Sequence, residues 1–85
     1  MAKRVVLGVC ISSRAKEVPA VQQVLTEYGC NIRTRLGMHE VAGEYCAPSG
    51  VVLLDMVGAP EDIDACQTKL TAVEGVQCQR LEFDI

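Results

Sequence analysis

Aromatic side chains are scarce in this chain, 4% of 85 residues, and one Phe with two Tyr cannot furnish the stacked platform on which single-stranded RNA is read. Basic residues are short as well: eight Lys and Arg stand against eleven Asp and Glu, net charge -3. Binding to a phosphate polymer rests on clustered cations that release counterions, so direct nucleic-acid binding is not expected. There is no CxxC. Cys10, Cys30, Cys46, Cys66 and Cys78 lie 20, 16, 20 and 12 residues apart, which excludes a paired zinc ribbon and ferredoxin-type iron-sulfur ligation. Most of these thiols read as small buried hydrophobes of a reducing compartment. Long apolar runs are missing too. Val5 to Ile11 follows Met1-Ala2-Lys3-Arg4 in imitation of a secretory leader, but it is seven residues long and Ser12-Ser13-Arg14 follows without a small-x-small cleavage site. Val9 also stands where a lipoprotein leader needs a small residue before Cys10. A cytoplasmic location with no membrane span is the expectation.

What remains is 49% hydrophobic and 22% charged, the composition of a packed aliphatic globule. Residues 1–85 suffice for one domain. A domain of this size buries only about 60–65% of its unfolded surface, so self-association is expected to supplement its stability.

Arg4 to Ser12 is β-branched with apolar residues on both parities, the pattern of an interior strand. From about Lys16, Val18, Val21, Val24, Leu25 and Tyr28 recur at helical spacing, with Pro19 in the first turns and Gly29 placed as a left-handed cap. Asn31 to about Val41 alternates, with Ile32, Thr34, Leu36 and Met38 on one face and Arg33, Arg35 and His39 on the other. A polar connection, Ala42 to Gly50, leads to the strand Val51 to Val57. Gly58-Ala59-Pro60 opens a second helix whose Glu61, Asp62 and Asp64 complement its dipole and whose Ile63, Cys66, Leu70 and Val73 form a buried stripe. Gly75 ends it, and Val76 to Phe83 is the last strand.

Strand, helix, strand, strand, helix, strand is the order of the ferredoxin-like split βαβ unit, an α+β fold. The halves show a weak repeat at an offset of 46 residues, Val5-Val6-Leu7 with Val51-Val52-Leu53 and Gly29 with Gly75. Right-handed crossovers give an antiparallel sheet of order 4-1-3-2 with both helices on one face. If Val5, Leu7, Val9 and Ile11 meet the helices with Val52, Leu54 and Met56, then Val6, Cys10, Val51, Leu53, Asp55, Val57, Leu81 and Phe83 lie on the uncovered side. The seven of these that are not charged are the expected oligomer interface, for a homodimer or a higher homo-oligomer.

The candidate ligand site is the end of the sheet where the turn Ser12-Ser13-Arg14, the hairpin connection and Glu74-Gly75 meet. Two hydroxyls, a guanidinium and the amides of a helix start suit a carboxylate or phosphate, although Ser13 equally suits a plain cap. Arg33 and Arg35 are a second candidate anion contact, or ion-pair partners for Asp55 across the sheet. His39 and Cys46, near Glu40, Glu44 and Tyr45, offer transition-metal ligands if two subunits share a site, the alternative being an exposed loop histidine. As nucleophile and base they lack an orienting third group, so catalysis is not expected.

Glu27-Tyr28-Gly29, Ile32, Arg35-Leu36-Gly37-Met38, the following apolar strand, the acidic helix start and Lys69-Leu70 before Gly75-Val76 together resemble the iron-only hydrogenase system regulator family. The likeness runs from about Lys3 to Cys78. Members of that family are similar to ACT domains and to the C-terminal domain of the nickel-responsive repressor. The resemblance implies an ACT-like, oligomeric regulatory domain in hydrogenase metabolism with no established catalytic residue; a small ligand or a protein partner is expected to bind it, and no cofactor is expected, a transition metal aside. Two further readings stand beside it: a transition-metal or redox sensor using His39 and Cys46, and a structural protein-protein adaptor. Ser12-Ser13-Arg14-Ala15 departs from the Asp, Pro and Gly common in ACT turns, and a single His39 with Cys46 departs from the several histidines of the nickel-responsive repressor.

Overall fold

The computed structural model describes residues 3–12, 18–42 and 45–85, with side chains outside residues 38–49. β1 (Lys3–Ile11) is followed by α1 (Val18–Glu27), a 3-10 turn (Gly29–Asn31), β2 (Ile32–Ala42), β3 (Tyr45–Met56), α2 (Pro60–Thr71) and β4 (Val76–Asp84). The sheet order is β2-β3-β1-β4, the expected order read from the other edge, and all three pairings are antiparallel. This is the ferredoxin-like fold. Among the described residues no helix is long and apolar enough to cross a membrane.

Burial alternates along β1: Val5, Leu7, Val9 and Ile11 are buried while Val6 and Gly8 are half-buried and Cys10 exposed. Those four pack with Leu54 and Met56 of β3, Val21, Val24 and Leu25 of α1, Ile63, Cys66 and Leu70 of α2, and Val76 of β4. Period 2 on the strands thus meets period 3.6 on the helices in one apolar layer. At the outer end of the β1–β4 pair, Lys3 stands opposite Asp84.

Four expectations are corrected. Gly29 is not a left-handed cap; among the described residues the positive-φ glycines are Gly58 and Gly75. The chain leaves α1 through the 3-10 turn instead, with the Asn31 amide N–H donating to the Tyr28 carbonyl at 2.9 Å. Gly75, at φ 83, occupies a turn in which the Val76 N–H donates to the Val73 carbonyl, the place where a positive φ is needed.

The second correction concerns β2. Ile32 pairs with Met56, but Thr34 pairs with Asp55, so Arg33 is the extra residue of a bulge. Parity inverts there. Ile32 packs on the core, whereas Thr34 and Leu36 lie with Asp55 and Leu53 on the uncovered face, and Arg35 lies opposite Leu54 on the helix side. Arg33 and Arg35 therefore do not share one outward face.

The connection Ala42 to Gly50 is the third. Backbone pairing continues to Val41 with Cys46 and Ala42 with Tyr45, making the hairpin a long arm, and the molecule measures 46 Å along its greatest extent. Pro48, which lacks an amide donor, falls where the register shifts between His39 and Val41.

Last, the offset of 46 does not relate equivalent strand residues. Leu7 and Leu54 both face the helices, 47 apart, whereas Leu53 faces the other way. A one-residue slip reverses a strand's faces, so the repeated tripeptide is not structural duplication.

Candidate functional site

The Ser12 N–H donates to the Gly75 carbonyl at 2.9 Å, and Ile11 pairs with Gly50. The end of β1, the entry to β4 and the base of the hairpin arm are thereby held together at one end of the sheet. Ser13 and Arg14 lie outside the described residues. Arg33 and Arg35 are brought elsewhere: Thr34, next to Arg33, pairs with Asp55 and Arg35 pairs with Leu54, and these two sit opposite Val6 and Leu7, several rows from Ser12.

Asp55 has a partner that the sequence reading did not choose. Arg4 Nε and Nη2 donate to its two carboxylate oxygens at 3.1 and 2.9 Å, a bidentate pair across the uncovered face. The hydrogen bonds from Arg4 hold the Asp55 carboxyl below its ordinary range, with the charges of Arg4 and Arg33 acting in the same direction against desolvation. Arg4 lies on β1 two residues before Val6, the strand partner of Asp55, and so on the same face of the sheet.

His39 and Cys46 belong to strands, not to a loop. His39 pairs with Gly50 and Cys46 with Val41, which puts them two positions apart on the arm. Their side chains lie outside those described, and among the described residues no three His, Cys, Asp or Glu side chains gather as a metal site.

A cleft of about 750 Å³ opens at the opposite end, where α2 begins over the outer ends of β1 and β4. Val5, Ile63, Pro60 and Gly58 form its apolar walls, and Lys3, Asp64, Arg80 and Glu82 its polar ones. Arg80 Nη1 donates to Asp64 Oδ1 at 2.6 Å and to Gln67 Oε1 at 3.2 Å. Its Nε, sealed from solvent, lies 2.7 Å from Glu82 Oε1 without the alignment of a hydrogen bond. Lys3 approaches Glu82 more loosely, at 3.6 Å. Sequence reasoning missed this cleft; its one legible signal was the proline-led, acid-rich start of α2.

The bare sheet face carries Val6 beside Leu81, Gly8 beside Leu53 and Gln79, and Cys10 beside Val51 and Gln77. Leu81 and Phe83 are 58% and 53% exposed. Leu36, at 54%, joins them through the β2 bulge and was absent from the expected set. Val6, Val51, Leu53 and Val57 are half-buried and Cys10 is exposed.

No family model matches the sequence, and no curated protein matches it. Solved structures do. TM1266, an uncharacterized protein from Thermotoga maritima, superposes with a TM-score of 0.81 at 20% identity, over 98% of this chain and 100% of that one. The ACT domain from the GTP pyrophosphokinase of Chlorobium tepidum gives 0.65 at 19%, over 92% and 96%. CPII from Thiomonas intermedia, in a structure bound to ADP, AMP and acetate, gives 0.50 at 11%, over 98% and 90%. At these identities the likeness establishes the fold, which is ACT-like.

Proposed function

We propose that the chain is a non-catalytic regulatory domain that senses a small ligand and works as a homo-oligomer, serving the iron-only hydrogenase system whose regulators its sequence resembles. The observation that carries this reading is the superposition on an ACT domain over nearly the whole of both chains. CPII, of similar architecture, is seen bound to ADP, AMP and acetate. In this reading the ligand end is the one where Ser12 is tied to Gly75, beside the base of the arm, and Ser13 and Arg14, next in the sequence, are its proposed polar groups. Thermal unfolding against a panel of amino acids, nucleotides and small anions tests this. A ligand that raises the transition in the wild type, and less in Arg14→Ala, supports the reading; no shift from any compound rejects it.

The placing of His39 and Cys46 two positions apart on the arm supports a second reading, a transition-metal or redox sensor completed by another subunit. Untagged protein reconstituted with divalent metals, compared with His39→Ala, separates the two: equal, negligible metal content in both chains rejects it. Co-purification from native cells identifies a protein partner, and a partner retained without any small-molecule response marks an adaptor.

A further inference from the structure

The uncovered face has a raised end and a hollow end. Leu81 and Phe83 of β4 stand out beside Val6 and Arg4. Two rows further along, Gly8 has no side chain, and a basin of about 340 Å³ opens among Gly8, Cys10, Val51, Gln77 and Gln79. The ridge and the basin lie on the same pair of strands, in opposite directions from the step between Val6 and Gly8.

We propose that the face is self-complementary: a second copy of the chain docks on it so that the Leu81–Phe83 ridge of each copy occupies the Gly8–Cys10 basin of the other. A two-fold axis lying between the copies, and crossing the strands between the Val6 and Gly8 rows, exchanges ridge and basin; each contact is then made twice. Size favours full face-to-face cover. Four strands roughly 4.8 Å apart, over seven residues of about 3.3 Å, present about 400 Å² in projection per copy. Contoured by side chains and counted on both copies, this approaches the roughly 1,000 Å² that a specific interface needs, which a partial contact would not reach. The face's own ion pair, Arg4 with Asp55, is already internally matched and brings no unpaired charge into the contact.

The proposal deepens the reading of the chain as a homo-oligomer, and its test separates the two. Cys10 and Cys30 are both exposed in the single chain, so their alkylation rates, followed by peptide mass across a dilution series, report on the face with an internal reference. Protection of Cys10 relative to Cys30 is expected as sedimentation shows dimer forming. Phe83→Ala and Gly8→Val should each weaken the dimer about tenfold or more and restore Cys10 reactivity. The single chain has room for a Cβ at Gly8, which meets Leu53 Cδ2 at 3.8 Å and the Gln79 carbonyl oxygen at 3.9 Å in ordinary van der Waals contact, and Gly8 lines the basin that the valine side chain is meant to fill. A dimer in which Cys10 reacts as fast as Cys30, or one indifferent to both substitutions, overturns this docking while leaving the oligomer intact. A chain that stays monomeric throughout overturns both.

Discussion

Gly58 shows how one residue fixes a crossover. Its φ of 104 lies where L side chains are strained, and a Cβ there would fall 2.5 Å from Asn31 Nδ2. That amide donates to the Val57 carbonyl at 3.1 Å, and the Val57 N–H donates to the Asn31 carbonyl at 2.7 Å. Gly58→Ala must break this clamp or strain the backbone, and a loss of about 1–3 kcal/mol in urea unfolding is expected. Cys66 is the other informative residue. It is wholly buried, and desolvation, reinforced by Cys78 and Glu27, pushes its thiol up to about 11. The unfolded thiol ionises near its ordinary value while the folded one does not, so stability falls as pH rises from about 9 toward 11, by roughly 2 kcal/mol. Cys66→Ala should flatten that alkaline decline in chemical unfolding, and native Cys66 should resist alkylation at rates that label Cys10 and Cys30.

Among the elements, α2 carries neighbouring positions of opposite weight. Leu70 is fully buried against the sheet, so Leu70→Ala should cost about 2–5 kcal/mol. Lys69 donates to Glu27 Oε2 and lies 5.2 Å from the Tyr28 ring centroid, tying α2 to the end of α1 on the surface. With both ions about half exposed, Lys69→Ala should cost less than about 1 kcal/mol. The same urea series measures both. Both helices and every strand were legible in the sequence because apolar period and breakers agree along most of the chain: Pro60 opens α2 and Leu54 and Leu7 keep strand parity. Two features were not legible. The Arg33 bulge inverts β2 without a glycine or proline to announce it, and the arm's Pro48 looks like a loop residue although β3 runs through it. Of the candidate sites, the uncovered face could be read from alternation alone, with Leu36 lost to the bulge. The charged cleft could not, since Lys3, Asp64 and Arg80 meet only through tertiary packing.

For the whole molecule, acid is the informative variable. The Asp55 carboxyl is lowered by Arg4, so the unfolded state binds its proton first as pH falls. The stabilisation is present above the ordinary carboxylate range and is lost as pH drops through the folded value. Asp55→Asn should therefore show a shallower acid decline than the wild type below about pH 4, measured by urea midpoints. Equal slopes would mean that the pair does not hold in solution.

The pairing of Lys3 with Asp84 has a practical corollary for anyone attaching a tag or a reporter. Antiparallel neighbours stand about 5 Å apart, so appendages added before β1 and after β4 leave from one corner, beside the mouth of the charged cleft. A bulky fusion there would crowd that opening from either terminus, whereas the arm, at the far pole, would stay unobstructed.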